Sequence, residues 1–278
     1  MNNVHTHENI TGNKGLSSSK EDFIAAILRE QNLENVNKNS PGVHPQNGIY
    51  VRYIKRFFDI IVSLIMLIIL LPVNLLLAIC TFFDVGRPII FKQTRIGKDG
   101  KLFEMIKFRN MTNDTDENGN LLPASQRITK FGKFVRKYSI DELMNFWSVL
   151  KGDMSIIGPR PLPVFFEERY SERHRMRNAV RPGLECPRVF DDETLPKYQV
   201  RFENDIWYVE HVSFITDIKM VFLLVKMTLN FKKRTNAAGG AGYFVGYDEH
   251  GYAISMTPLL RNHPEYEEMY DSYVNEKV

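Results

Sequence analysis

Residues Phe57 to Pro88 read "FFDIIVSLIMLIILLPVNLLLAICTFFDVGRP", and the length of apolar chain inside them decides what kind of fold to expect. From Ile60 to Phe83 no side chain is charged. That is about two dozen residues, against the roughly 20 an α-helix needs to cross a bilayer. A soluble helix of this length carries a polar face, and this one has none, so residues 49–86 are expected to insert into a membrane. Pro72 and Asn74 stand near the middle. Proline removes a backbone donor and clashes with the preceding turn, so a kink is expected at Pro72. Each half is then about 18 Å long, too short for a hydrocarbon core of about 30 Å. Arg52, Lys55 and Arg56 precede the run, and Arg87, Lys92, Arg95 and Lys98 follow it. Basic flanks favour the cytoplasmic face. A re-entrant helix that enters, bends at Pro72 and returns satisfies both flanks, whereas a straight span satisfies one.

The stretch after the apolar run, "PIIFKQTRIGKDGKLFEMIKFRNM", reads as a β-hairpin turning at "GKDGK". Lys107 and Arg109 alternate with Ile106 and Phe108, which puts both bases on one face. A polar loop follows, then "RITKFGKFVRKY", a basic amphipathic helix with Phe131, Phe134 and Val135 on one side. Beyond Pro161 a charged helical stretch, "FFEERYSERHRMRNAV", is expected. One long helix is expected from Asp205 to about Phe231, lying at the interface with Trp207 and Tyr208 near headgroups. The fold class is therefore α+β: a re-entrant membrane helix and a small cytoplasmic α/β domain over 87–231 with amphipathic interfacial helices. Residues 1–48 are polar and expected to form a mobile extension, interrupted by a helix with Phe23, Ile24, Ile27 and Leu28 on one face. Residues 232–278 are expected to form a flexible tail with a "NAAGGAG" hinge.

Over 278 residues the formal charge is +3, too small an excess to imply nucleic-acid binding. The two cysteines, Cys80 and Cys186, form neither a disulfide framework nor a zinc motif.

Two adjacent carboxylates remain, Asp141 and Glu142 in "RKYSIDELMNFWSVLKGDMSIIGPRP". Ser139 with Glu142 fits a capping box, and Leu143, Phe146, Trp147 and Leu150 follow at helical spacing. On that reading Glu142 caps and nothing reacts. The setting also permits chemistry. Arg136, Lys107, Arg109 and Arg160 offer cations, and Gly158-Pro159-Arg160-Pro161 holds one guanidinium on a stiff backbone. Carboxylates among bases suit a diphosphate bridged by Mg²⁺, because the cations offset phosphate charge and let an anionic Asp approach phosphorus.

Together "FKQTRIG", "MIKFRNM", "RKYSIDELMNFWSVLKGDMSIIGPRPL", "VRPG" and "RFENDIWYVEH", behind a basic-flanked apolar segment with Leu71-Pro72, resemble the bacterial sugar transferase family of monotopic polyprenyl-phosphate phosphoglycosyl transferases. The resemblance runs from about Lys55 to Phe231. It implies an enzyme at the cytoplasmic face of the bacterial inner membrane, starting lipid-linked surface glycans. By the match, Asp141 attacks the sugar-linked phosphate of a UDP-sugar, UMP leaves, and polyprenyl phosphate takes the phosphosugar. Glu142 matches the second acid, helping Asp141 hold Mg²⁺, and Lys107, Arg136 and Arg160 match phosphate-binding positions. Partners beyond substrates and bilayer would be further copies of the chain or pathway enzymes. One departure concerns the loop after Val180-Arg181-Pro182-Gly183, where the family's Ile-Thr-Gly-Trp is replaced by "LECPRVFDDE", which puts the sugar preference in doubt. A non-catalytic membrane-anchored scaffold and a phosphohydrolase using Asp141 are the competing readings.

Overall fold

The computed structural model describes residues 17–229 and 242–276. In chain order the helices and strands are α1 (Ser17–Asn39), α2 (Lys55–Ile69, extending a π-turn over Tyr50–Ile54), α3 (Leu71–Val85), β1 (Ile90–Ile96) and β2 (Leu102–Phe108). Then come α4 (Ala124–Arg127), α5 (Lys130–Tyr138), α6 (Phe146–Lys151), β3 (Ser155–Ile157), α7 (Glu172–Arg175) and β4 (Gly183–Glu185). After these follow α8 (Lys197–His211), α9 (Phe214–Leu229), β5 (Phe244–Tyr247), β6 (Ala253–Ser255) and two C-terminal helices, Met256–Asn262 and Glu265–Glu276. The mixture of helices and small sheets is the α+β class the sequence implied.

The apolar run forms two helices. Among the described residues no single helix is long and apolar enough to cross a membrane, but Tyr50–Ile69 and Leu71–Val85 together are, bent by 58° at their junction. The bend falls at Leu70, one residue past the end of α2, and Pro72 lies in the first turn of α3. There its missing N–H leaves no hydrogen bond unmade within α3 and its fixed φ suits a helix start, while the α2 ladder cannot continue through it. Apolar side chains along both helices point outward, Phe83 at 81% exposure being the extreme.

The base of this bent pair is fastened to the rest of the fold by polar groups. Asp59, only 4% exposed, accepts from Ser155 Oγ (3.0 Å) and from the Ile156 N–H (3.1 Å) of β3. Arg56 donates to the carbonyls of Val149 (2.5 Å) and Leu150 (2.7 Å), satisfying acceptors that a helix end leaves open. Lys55 pairs with Asp217 of α9 at 2.7 Å, and the Tyr50 and Tyr208 hydroxyls donate to the same carboxylate at 2.6 Å each.

The hairpin forms as read: β1 and β2 pair antiparallel with Phe91 opposite Lys107. Four other expectations are corrected. The charged stretch after Pro161 is three short turns, because Arg169, His174 and Arg177 are buried anchors that draw the chain inward at successive turns. The long helix is broken at Val212-Ser213: Val212 is extended and buried, and Ser213 Oγ accepts from the Thr216 N–H to start α9. Tyr208 is fully buried, far from any headgroup role, and Trp207 stacks on His211. The face of α9 carrying Phe214, Ile215 and Phe222 is nonetheless exposed and apolar, and Phe214 lies against Phe58 of α2.

The fourth correction concerns the two ends. Residues 1–16 and the hinge at 236–241 lie outside the described residues, but α1 and residues 242–276 are built into the protein rather than mobile. Ile24 and Leu28 of α1 share a core with Val245, Ile254, Met256 and Leu259. Phe244 and Tyr247 enter the main core beside Phe166, Tyr170 and Phe202. Each buried aromatic of this kind contributes about 1.5–3 kcal/mol. Arg169 closes the seam, donating to the Phe244 carbonyl at 2.6 Å and pairing with Asp22 of α1.

Candidate active site

Helix α5 starts at Thr129, whose hydroxyl accepts from the Gly132 N–H at 2.7 Å, and stops at Ser139, which adopts a left-handed φ of 54°. That conformation reverses the chain into a 3₁₀ turn, Ile140–Asn145, rather than a regular helix start. The expected capping box does not form, since the Ser139 side chain makes no capping bond. Both carboxylates are thereby released from capping duty. Asp141 turns inward and is 4% exposed, while Glu142 is half-buried and reaches across to Arg160.

Asp141 Oδ2 accepts from Asn110 Nδ2 at 2.8 Å. Burial first, and then the charge of Glu142, push its carboxyl up to about 6, against the pull of Lys107 and Arg136. Glu142 Oε2 pairs with Arg160 Nη2, and Arg160 Nη1 also lies 3.5 Å from Glu185. Arg160 belongs to the stretch Gly158–Pro161, which is stitched to Arg181–Gly183: the Gly183 N–H donates to the Pro159 carbonyl at 3.0 Å. The backbones touch so closely that a Cβ on Gly183 would come within 2.1 Å of Gly158 N. From behind, the buried Arg177 donates to the Arg160 carbonyl at 2.8 Å and is itself held by Asp205 at 2.7 Å. The guanidinium of Arg160 is thus preorganised by its backbone.

The other expected residues divide. Lys107 faces the carboxylates, with its Nζ 5.5 Å from the Phe91 ring centre. Burial draws its pKa down, and Glu142 and Asp141 act in the opposite direction. Arg136 lies at the exposed rim, its charge acting on Asp141 and Lys107. Arg109 is not at the site. The strand ends at Phe108, the alternation ends with it, and the Arg109 guanidinium turns to the carbonyls of Val85 and Arg87 (3.2 Å to the latter). It caps the carbonyl end of α3, where the helix dipole favours a cation. Asn110, Arg95, Arg177 and Asp205 were not expected at the site from the sequence. Asn110 sits in the quoted "KFRNM" and Arg95 in "KQTRIG", but only the fold shows which of these neighbours face Asp141 or Arg160.

The altered loop reaches the site through Glu185. Beyond it the chain is pinned by Asn204 of α8, whose Oδ1 accepts from the N–H groups of Val189 (2.7 Å) and Phe190 (3.2 Å). Cys186 packs among apolar side chains, and burial raises its thiol well above the usual range, so it is no nucleophile. Among the described residues no three His, Cys, Asp or Glu side chains form a metal cage. The hard donors at the reacting end are Asp141 and Glu142, a set that fits Mg²⁺, which takes one or two carboxylates and completes its octahedron with phosphate oxygens and water.

A buried carboxylate with a raised pKa, set between a rigid guanidinium, a lysine and an exposed arginine, marks a candidate functional site with room for an anionic ligand. The comparisons give the family. Residues 50–231 match the family described as bacterial sugar transferase, and the chain belongs to it. It is 39% identical over 176 residues to the uncharacterized sugar transferase EpsL of Bacillus subtilis (strain 168), covering 63% of this chain and 87% of that protein. It is 38% identical over 192 residues to the UDP-glucose:undecaprenyl-phosphate glucose-1-phosphate transferase of Klebsiella pneumoniae, 65% of this chain and 41% of that one. It is 31% identical over 209 residues to the UDP-N-acetylgalactosamine-undecaprenyl-phosphate N-acetylgalactosaminephosphotransferase of Aeromonas hydrophila, 71% of this chain and 48% of that one. The chain thus spans less than half the length of the latter two relatives. In all three matches, part of this chain lies outside the aligned region.

Proposed function

We propose that this protein is a phosphoglycosyl transferase that moves a phosphosugar from a UDP-sugar to polyprenyl phosphate through a covalent intermediate on Asp141. The observation that carries the reading is the geometry of Asp141: buried, uncapped, held by Asn110 and facing Lys107, with Arg160 fixed next to its neighbour Glu142. Asn110 Nδ2 on one carboxylate oxygen leaves the other to attack the sugar-linked phosphorus. The phosphorus–oxygen bond to UMP breaks, and UMP leaves with the bonding pair. Lys107 and Arg160 oppose the charge that accumulates on the transferred and departing phosphates. An oxygen of polyprenyl phosphate then attacks the same phosphorus, the aspartyl–phosphate bond breaks, and the carboxylate is restored. Mg²⁺, held by Asp141 and Glu142 with the donor phosphates, would supply further charge neutralisation.

The lipid acceptor requires a site at bilayer depth. The bent pair α2–α3 with its outward apolar side chains, and the exposed apolar face of α9, support a re-entrant insertion with the body on the cytoplasmic face of the inner membrane. The test is a panel of UDP-sugars read by Mg²⁺-dependent UMP release, with and without polyprenyl phosphate, and by mass spectrometry of the protein. The reading expects a phosphosugar adduct on Asp141 that polyprenyl phosphate discharges. Turnover without an adduct sinks the covalent route; turnover to free sugar phosphate without lipid makes the protein a hydrolase; no nucleotide release from any donor leaves a scaffold.

A further inference from the structure

Arg95 lies on β1, inside the family region, and Tyr243 lies outside it, in the segment after residue 241. The fold brings Arg95 within electrostatic reach of Arg160 and of Tyr243. The backbone of Arg95 bridges to Pro163, directly after the stiff turn that carries Arg160. Tyr243 packs with its ring 5.6 Å from that of Phe165, and its backbone is held by its neighbours: the Met256 N–H donates to its carbonyl at 3.0 Å, and Arg169 holds the Phe244 carbonyl. Its ring is still 46% exposed.

Among the described residues Arg95 has no ion-pair partner of its own. Its Nη2 donates to the neutral Gln93 at 2.6 Å, and its Nε is buried with no hydrogen-bond partner among the described residues. The charges acting on it are Arg160 and Arg201, both positive, against Glu142. Glu142 is already engaged by Arg160. A desolvated guanidinium with an open N–H, beside a second arginine, calls for an anion that the protein does not supply. A half-exposed, well-braced aromatic ring beside it offers a face for a planar group.

We propose that Arg95 and Tyr243 form the subsite for the nucleoside monophosphate half of the donor, so that the C-terminal segment outside the family region takes part in holding the leaving nucleotide. The inference rests on the transferase reading. Arg95 meets the phosphate that departs, and Tyr243 stacks on the base.

The test is binding rather than turnover: calorimetric titration of UMP, and separately of a sugar 1-phosphate, into the full-length protein in lipid nanodiscs. Arg95→Lys and Tyr243→Ser should each weaken UMP about tenfold or more, Tyr243→Phe should bind like the parent, and the sugar 1-phosphate should bind all of them alike. Unchanged UMP affinity in both Arg95→Lys and Tyr243→Ser, or equal losses for the sugar phosphate, overturns the assignment, as does a parent protein that does not bind UMP. If the Arg95 variant does not fold, as judged by its melting curve, the Tyr243 pair decides alone, because that side chain is half in solvent. A parent that binds UMP through these residues yet releases none from any UDP-sugar keeps the subsite and removes the transferase reading.

Discussion

Replacing Asp141 by Asn should destroy activity and make the resting protein more stable. The carboxyl is buried, and desolvation together with Glu142 raises its pKa from 3.8 to about 6. Because the folded state holds this proton more tightly than the unfolded chain does, ionisation works against folding once pH exceeds the unfolded value. The sign follows: the cost is absent below about pH 3.8, grows as pH rises, and is complete above about pH 6, where the shift corresponds to about 3 kcal/mol. Asn is close to a permanently protonated Asp and keeps an oxygen for Asn110 Nδ2, so it escapes that cost. In nanodiscs at pH 8, without substrate, Asp141→Asn should melt several degrees above the parent, at about 2–4 °C per kcal/mol for a protein of this size. At pH 4.5 most of the difference should vanish. Turnover should fall by more than about a thousandfold, the scale of losing a nucleophile. A variant that is less stable than the parent at pH 8, or whose advantage does not shrink on acidification, would refute the account of why this carboxylate is poised.

Four other outcomes follow from the contacts. Arg160→Lys keeps the charge but loses the two-pronged hold on Glu142 and Glu185, and kcat/KM for UMP release should fall about 10–100-fold with the melting temperature little changed. Arg109→Met removes bonds to the carbonyls of Val85 and Arg87 at the end of α3; it should cost about 3 kcal/mol of stability by thermal melting while activity per folded molecule stays near that of the parent. Asp59→Leu leaves Ser155 Oγ and the Ile156 N–H without their acceptor and should lower stability by about 2–4 kcal/mol, a loss that Asp59→Asn should partly restore. Epitope tags placed before residue 17 and after residue 276 should both be accessible from the cytoplasmic side of membrane vesicles; opposite accessibility would exclude the bent insertion.

The parts of this molecule that were legible in the sequence are those whose signal is local. The uncharged run, Pro72 as its breaker and the hairpin at "GKDGK" each depend on residues within a turn or two of one another. The ends were illegible for the opposite reason. Ile24 and Leu28 on one side, and Val245, Ile254 and Leu259 on the other, are sparse apolar residues in polar surroundings, and neither set makes a core without the other. Read separately they look like chain that cannot bury enough surface to fold. The site was half legible: adjacency named Asp141 and Glu142, but whether they cap a helix depended on Ser139 taking a left-handed conformation, which composition does not announce. Arg109 failed for a related reason. Period-two alternation assigns a face only while the strand lasts, and β2 ends one residue earlier.

The charges bordering the apolar run, whose basic members point to the cytoplasmic face, have a second use that bears on the site. Lys55 is committed to Asp217, Arg56 to the end of α6, and Asp59 to β3. Helix α6 continues the turn that carries Asp141, and β3 leads into Gly158–Pro161, which carries Arg160. The bent helix pair is therefore bolted to both halves of the site, the Asp141 side through Arg56 and the Arg160 side through Asp59. If the bilayer fixes the depth of α2 and α3, it fixes the height of Asp141 above the membrane through these contacts with no flexible linker between them. On the proposed function, an acceptor whose phosphate sits at the surface, tethered by its own lipid tail, would meet a carboxylate held at a set level, the positioning that a two-substrate reaction at a membrane boundary requires.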